Sequence, residues 1–145
     1  MYKSVVVGID GSATAEIALA RAIELASAAG ARLHVVSAYE PAAAKVTGGA
    51  PRAEEYQFTA GPSYKVDAVL ERALSRAGAE GLSVEQHAPK GSPADAIVRI
   101  TEENDADLIV IGSVGMTGAK GRIFGSVPNK VSHHTPCDLL IVRTG

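Results

Sequence analysis

The chain has 145 residues, 46% of them hydrophobic and 21% charged, with a net charge of −2. This length and composition predict a single globular domain over residues 1–145 and argue against a disordered chain. The small net charge argues against nucleic-acid binding, the single cysteine excludes an internal disulfide framework, and no apolar stretch approaches the ~20 residues of a membrane span. The N-terminus also lacks the layout of a signal peptide, so we expect a cytoplasmic protein.

The beginning of the chain has the pattern of a strand, a helix and a second strand. Residues 3–9 form a continuous apolar run rich in valine, which predicts a strand buried on both faces of a parallel sheet. Ser12 is placed to cap an alanine-rich helix over about 12–29, which Gly30 ends. One face of this helix is predicted to carry an apolar stripe of Ala15, Leu19, Ala22, Ile23 and Ala26. The second strand is predicted at 33–39.

Residues 41–61 interrupt this regular pattern. They contain several prolines and glycines and show no clear period. A loop of this length inside a compact domain is uncommon and is often functional, so a lid over a site and a disordered segment are both open interpretations.

The second half of the chain returns to alternating elements. A helical period covers 62–79, and the alternating residues 82–88 predict a strand at a sheet edge. Ser92-Pro93-Ala94-Asp95 has the pattern of a capping box with proline at the first helical position, and the helix it opens stops near Asn104. The remaining elements are a buried strand, a short helix and a last strand, predicted at 107–111, 127–134 and 138–143.

The order of these elements predicts a doubly wound α/β fold. Alternating strands and helices form a parallel sheet with helices on both faces, because each crossover places a helix against the sheet. Ligands of such sheets bind beyond the carboxyl ends of the strands, at the point where the strand order reverses.

A glycine-rich segment, residues 111–127, connects the fourth strand to the last helix. Its glycines lie at 112, 115, 118, 121 and 125, and Lys120 and Arg122 add positive charge. Ser126 is predicted to cap the helix that follows, and Pro128 suits its first turn. A helix N-terminus offers free N–H groups and partial positive charge to a phosphate. The segment therefore has two open interpretations, a phosphate-binding loop and an ordinary strand–helix connection.

The spacing Gly112-x2-Gly115-x9-Gly125-Ser126 resembles the nucleotide-binding signature of the universal stress protein family. Residues 5–12, Val-Val-Val-Gly-Ile-Asp-Gly-Ser, resemble the first strand and turn of that family, and residues 137–142 resemble its last strand. The resemblance implies a Rossmann-like sheet of five parallel strands in the order 3-2-1-4-5, of the adenine nucleotide alpha hydrolase-like type. It also implies a homodimer, and an apolar edge strand at 138–143 would be covered by such pairing.

The resemblance further implies which residues bind the nucleotide. In the family the acid that matches Asp10 contacts the nucleotide, and the backbone at Ala38 meets the adenine edge. Lys120 and Arg122 are further candidates for phosphate contacts, and Asp10 could hold a hydrated Mg²⁺ beside the phosphates of ATP. The full set of expected nucleotide-binding residues is Gly8, Ile9, Asp10, Gly11, Ser12, Ala38, Ile111, Gly112, Ser113, Val114, Gly115, Gly125, Ser126, Val127 and Pro128.

Two positions depart from the pattern of many ATP-binding relatives. Those relatives have proline where this chain has Gly8, and histidine or arginine where it has Val114. The combination resembles an actinobacterial branch of the family in which some members bind cyclic AMP. The expected ligand is therefore ATP or cyclic AMP.

The sequence gives no sign of a catalytic centre. His34 and His87 lie in strands far apart in sequence, His133 and His134 end a helix, and no cluster has the spacing of metal ligands. Neither a P-loop nor a dinucleotide fingerprint is present. We expect a nucleotide-binding stress-response protein without enzymatic activity. The alternatives are a slow ATPase or phosphoryl or nucleotidyl transferase that uses Asp10 and Mg²⁺, and a dimeric interaction module that binds no nucleotide.

Overall fold

The computed structural model describes residues 1–39, 63–113 and 126–144, so the predicted loop at 41–61 lies outside the described residues. The described chain forms five parallel strands in the order β3-β2-β1-β4-β5, which confirms the predicted doubly wound α/β fold. The elements, in chain order, are β1 (Ser4–Gly8), α1 (Ala13–Ala29), β2 (Arg32–Val36), α2 (Ser63–Ala79), β3 (Val84–His87), α3 (Pro93–Glu103), β4 (Leu108–Gly112), α4 (Ser126–His134) and β5 (Asp138–Val142).

Two apolar layers cover the two faces of the sheet. Val5 and Val7 of β1 pack in a cluster with α1 and α2, whereas Val6 packs on the opposite face with α3 and α4. All three side chains are fully buried. This two-sided burial is why the first strand is a continuous apolar run rather than an alternating one.

Helix α1 begins and ends as the sequence predicts. Ser12 is the N-cap, and its hydroxyl oxygen accepts a hydrogen bond of 3.1 Å from the backbone N–H of Ala15. Gly30 ends the helix in the left-handed conformation at φ 66°, which a glycine adopts without steric cost. The predicted apolar stripe faces the sheet, and its members Ala15, Leu19, Ala22, Ile23 and Ala26 are buried.

The starts of the last two helices differ from the prediction in detail. The Ser92 hydroxyl makes no cap bond to a backbone N–H and instead donates to Asp95 Oδ2 at 2.9 Å, so the predicted capping box is not formed. Asp95 also lies 3.7 Å from the ammonium of Lys130, which links α3 to α4. Ser126 is the first residue of α4 rather than its cap, a shift of one position.

The described helices do not include a membrane-crossing segment. None of those in residues 1–39, 63–113 and 126–144 combines the length and the apolar character that a bilayer crossing needs.

Asp107 directly precedes β4, and its side chain is hydrogen-bonded to the start of β1. Its carboxylate accepts hydrogen bonds from the backbone N–H of Lys3, at 3.0 Å, and of Ser4, at 3.1 Å. Partial burial raises the pKa of this carboxyl, but the backbone donors outweigh it, so the pKa lies below its ordinary value of 3.8. The folded state therefore favours the ionised carboxylate.

We predict that Asp107→Ala lowers the free energy of unfolding at pH 7 by about 1–2 kcal/mol, because two backbone N–H groups lose a charged acceptor. A carboxyl whose pKa is lower in the folded than in the unfolded chain stabilises the fold above the unfolded pKa, and this stabilisation is lost as the pH falls through the folded pKa. The difference between wild type and variant should thus shrink below pH 3.8.

Urea unfolding at pH 7 and at about pH 3 measures this difference. Asp67→Ala is the matched control, because Asp67 is an exposed carboxylate on α2. A difference that stays constant with pH would contradict the role given to Asp107.

Candidate functional site

The carboxyl ends of β1 and β4 lie next to each other in the middle of the sheet. The two strands pair from Val5 with Leu108 to Val7 with Val110, so their exits reach the same sheet edge. The chain leaves β1 toward α1 on one face and leaves β4 toward α4 on the opposite face. Divergence of this kind creates a crevice at the switch point of open α/β sheets, so the space between the two exits is the expected ligand position.

The turn after β1 requires glycine at position 11. Gly11 has a φ of 85°, and a Cβ built on it would lie 2.7 Å from Cγ2 of Val69 on α2. Just before this turn, the N–H of Ile9 donates to the carbonyl of Val36 at 2.9 Å, so the β1 exit is held against β2. The backbone of this turn is therefore fixed by its neighbours.

Asp10 is the acidic side chain at the β1 exit. Its Oδ1 accepts a hydrogen bond of 2.9 Å from the N–H of Ser12 and one of 2.6 Å from the Ser12 hydroxyl. Within the described residues, its second oxygen, Oδ2, has no hydrogen-bond partner. Asp10 thus forms the turn with one oxygen and keeps the other available as an acceptor.

The β4 exit contacts both the start of α1 and the end of β5. A Cβ on Gly112 would lie 3.3 Å from Cγ2 of Thr144 and 3.7 Å from the carbonyl oxygen of Thr14. The N–H of Ser113 donates to the carbonyl of Val142 at 2.8 Å, and its hydroxyl accepts from the N–H of Thr144 at 3.1 Å. The Ser113 hydroxyl therefore connects β4 to β5.

The N-terminus of α4 is better suited to an anion than that of α1. No acidic side chain lies in the first turn of α4, whereas the first turn of α1 carries Glu16, whose carboxylate pairs with Arg76 at 2.8 Å. The first N–H groups of a helix have no partner within the helix, and they carry partial positive charge. In α1, Ser12 satisfies one of these donors.

Several expected site residues bury their side chains. Ile111 is fully buried, and Val127 and Ala38 are only 5% and 7% exposed. Ile111 and Val127 pack in the apolar cluster beneath α3 and α4. These residues can therefore offer a ligand mainly backbone groups.

The structure brings one group of expected site residues to the same sheet edge. These residues lie at the exits of β1, β2 and β4, and they are Gly8 to Ser12, Ala38, and Ile111 to Ser113. Ser126 to Pro128 form the start of α4, the helix that follows β4. Five others lie outside the described residues, namely Val114, Gly115, Lys120, Arg122 and Gly125.

A second cluster, on β2 and β3, was not found from the sequence. His34 Nδ1 lies 3.0 Å from His87 Nε2 and 3.4 Å from a carboxylate oxygen of Glu85. Burial and the neighbouring His87 lower the pKa of His34, although Glu85 partly opposes them. The two histidines are distant in sequence, so their spacing carries no signal; the alternate positions of Glu85 and His87 in the predicted strand are the one pattern that places two of these side chains together.

The five-stranded parallel sheet with helices on both faces defines a doubly wound α/β protein. The chain belongs to the universal stress protein family, whose sequence model matches residues 1–143.

Individual relatives extend over nearly the whole chain. Universal stress protein Rv1636 of Mycobacterium tuberculosis is 39% identical, covering 99% of this chain and 97% of the relative. A universal stress protein solved in complex with cAMP is 36% identical, with a TM-score of 0.74 and coverage of 99% and 98%. A universal stress protein of Archaeoglobus fulgidus solved in complex with dAMP is 26% identical, with a TM-score of 0.68 and coverage of 99% and 98%.

We predict that Gly11→Ala lowers the free energy of unfolding by about 1–3 kcal/mol, because alanine is strained at positive φ and its Cβ meets Val69. Gly78→Ala is the control, since Gly78 lies within α2 and a Cβ there has open space. That change should leave stability unaltered or raise it by up to about 1 kcal/mol. Urea unfolding of both variants measures the contrast, and equal effects would contradict the geometry of the β1 turn.

Proposed function

We propose that this chain binds an adenine nucleotide in the crevice between the exits of β1 and β4 and acts as a regulatory stress-response protein. The observation that carries the proposal is the contact between the two exits at Gly112. A Cβ there would lie 3.3 Å from Thr144 Cγ2 and 3.7 Å from the Thr14 carbonyl oxygen, so glycine keeps the β4 exit from crowding these two neighbours. The relatives solved with cAMP and dAMP support an adenine nucleotide as the ligand of this crevice.

The phosphate is assigned to the N-terminus of α4. Its first turn has no acidic side chain to repel an anion or occupy the free N–H groups. The helix is held in place because Val127 and Val131 are buried against the sheet. Lys120 and Arg122, together with Gly115 and Gly125, are proposed phosphate contacts from their positions in the loop sequence.

The ribose is assigned to the β1 exit. Asp10 Oδ1 is occupied by Ser12, but Oδ2 has no hydrogen-bond partner among the described residues and can accept from a ribose hydroxyl. The backbone at Ala38, which follows β2 and is only 7% exposed, is the proposed contact for the adenine edge. The nucleotide would then extend across the ends of β2, β1 and β4.

Cyclic AMP is the first candidate ligand. The relative solved with cAMP is 36% identical over 99% of this chain, and the crevice offers one helix N-terminus for one phosphate group. ATP remains the second candidate, in which case Asp10 could hold Mg²⁺ beside the additional phosphates.

A regulatory role is favoured over catalysis by the groups at the exits. Within residues 8–12 and 111–113, Asp10 is the sole titratable side chain, and its Oδ1 already accepts two hydrogen bonds from Ser12. The serine hydroxyls at these exits are engaged as well, Ser12 with Asp10 and Ser113 with Thr144. A slow ATPase or transferase would need the remaining Asp10 oxygen to bind a metal ion.

We predict that cyclic AMP, AMP or ATP binds the wild-type chain and that Asp10→Asn weakens this binding about 10–100-fold, since a charged acceptor is replaced. Calorimetric titration with each nucleotide, with and without Mg²⁺, measures the affinities, and phosphate release is followed in parallel with ATP. Asp95→Asn is the matched control, because Asp95 also accepts from a serine hydroxyl but lies on α3. The Asp95→Asn variant should bind each nucleotide with the same affinity as wild type.

The result decides between the three functions. Binding without turnover supports the regulatory protein, and turnover of ATP abolished by Asp10→Asn would replace it with an enzyme. If no nucleotide binds to protein shown to be free of co-purified ligand, the remaining alternative is a dimeric interaction module that does not use a nucleotide.

We also propose that two copies pair through β5. This strand is the last in the sheet order, and its apolar side chains Leu139, Leu140 and Ile141 are only half-buried in the single chain. An apolar edge strand is usually covered or paired, and a two-fold contact covers both copies at once.

We predict that light scattering gives about twice the chain mass of 14.9 kDa for wild type. Leu139→Lys should give a monomer, because the charge would be buried at the edge. Ile17→Lys is the control, as Ile17 is 46% exposed on α1, and it should stay dimeric. A monomeric wild-type chain would refute the β5 dimer.

A further inference from the structure

A cluster of two imidazoles and a carboxylate lies on β2 and β3, and none of its three residues is among those assigned to the nucleotide. His34 pairs in register with Glu85, and Val36 pairs with His87. Glu85 and His87 are two residues apart in β3 and therefore project from the same face of the sheet. His34 pairs on its other side with Val6, which packs toward α3 and α4, so the cluster lies on that face.

The three ligand atoms have the separations of a metal site. His34 Nδ1 is 3.0 Å from His87 Nε2 and 3.4 Å from Glu85 Oε2, and one ligand atom from each residue lies within 4.8 Å of the others. Zinc bonds of 2.0–2.2 Å in a tetrahedron place neighbouring ligand atoms about 3.3–3.6 Å apart. A small adjustment of the more exposed side chains would thus bring the three atoms around one ion.

The chemistry of the cluster selects a particular class of ion. Two imidazoles and one carboxylate suit zinc and neighbouring transition metals, whereas magnesium and calcium prefer oxygen ligands alone. His34 is only 2% exposed, so its packing holds the imidazole in position for an ion. Glu85 supplies negative charge to balance the ion.

One neighbouring group opposes a cation. Arg32 lies two residues before His34, and its guanidinium is 3.9 Å from the Glu85 carboxylate. Arg32 therefore competes with an ion for Glu85 and lowers the pKa of His34. Because Arg32 and Glu85 are about half exposed, this ion pair is weak and can exchange for a metal bond.

We propose that His34, Glu85 and His87 bind one divalent transition-metal ion of the zinc class, with water completing its coordination. The ion would connect β3, an edge strand of four residues, to β2, and so stabilise the edge of the sheet. The simpler alternative is a hydrogen bond between two neutral imidazoles, which also accounts for a nitrogen separation of 3.0 Å. The two differ in whether added metal binds.

Calorimetric titration of the full chain, without a histidine tag, with Zn²⁺ and with Co²⁺ tests the proposal. We expect one equivalent of metal ion to bind per chain. Loss of a residue that only supports a metal ligand typically lowers metal affinity about 10–100-fold, so His87→Gln, which removes a ligand itself, should lower it by more than this. Glu85→Gln should act in the same direction. These two residues are chosen because His34 is buried, and its replacement could disturb the core.

Two further variants separate this site from adventitious binding and from a structural effect. His133→Gln combined with His134→Gln removes the histidines at the end of α4 and should leave the bound equivalent unchanged. Arg32→Gln should increase the affinity several-fold, because the competitor for Glu85 is removed. Zn²⁺ should also raise the thermal midpoint of wild type but not of His87→Gln.

The proposal is overturned if wild type binds no Zn²⁺, since the imidazole pair is then only a hydrogen bond. It is equally overturned if His87→Gln retains the bound equivalent, or if the α4 double variant loses it. None of these results depends on whether the chain binds a nucleotide.

Discussion

The central constraint in this molecule is that a parallel sheet must be covered on both faces. Val5 and Val7 pack against α1 and α2, and Val6 packs against α3 and α4. The helices that follow the adjacent strands β1 and β4, namely α1 and α4, therefore lie on opposite faces of the sheet. The exits of β1 and β4 consequently diverge at one sheet edge. The expected position of a ligand crevice therefore follows from core packing and does not depend on any single polar residue.

Hydrogen bonds within the fold then determine which groups a ligand can meet. The Ser12 hydroxyl donates to Asp10 and accepts from the backbone of α1. The Ser113 hydroxyl accepts from the backbone N–H of Thr144, just after β5. What stays available at the described exits is backbone, one Asp10 oxygen and the first turn of α4. Such a set suits recognition of a phosphate and a ribose hydroxyl, and it offers little for bond cleavage.

The sequence predicted most of the architecture, because buried strands and amphipathic helices have characteristic periods. The stripe of α1 and the cap at Ser12 followed from local chemistry alone, whereas strand order needed the resemblance to a family. Local reasoning failed where partners compete or are distant in sequence. Ser92 bonds Asp95 instead of the backbone, and His34 meets His87 only because β2 and β3 pair in register. The placement of a nucleotide on these residues stays a prediction.

The most direct test of the account is a nuclear magnetic resonance titration of backbone amides with cyclic AMP, AMP and ATP. The account predicts that the largest shifts fall on residues 8–12, 112–113 and 126–127, because these amides line the two strand exits and the start of α4. Amides of the outer faces of α2 and α3 should change little. Shifts concentrated on those helices, or no shifts with any nucleotide, would contradict a nucleotide site at the β1/β4 edge.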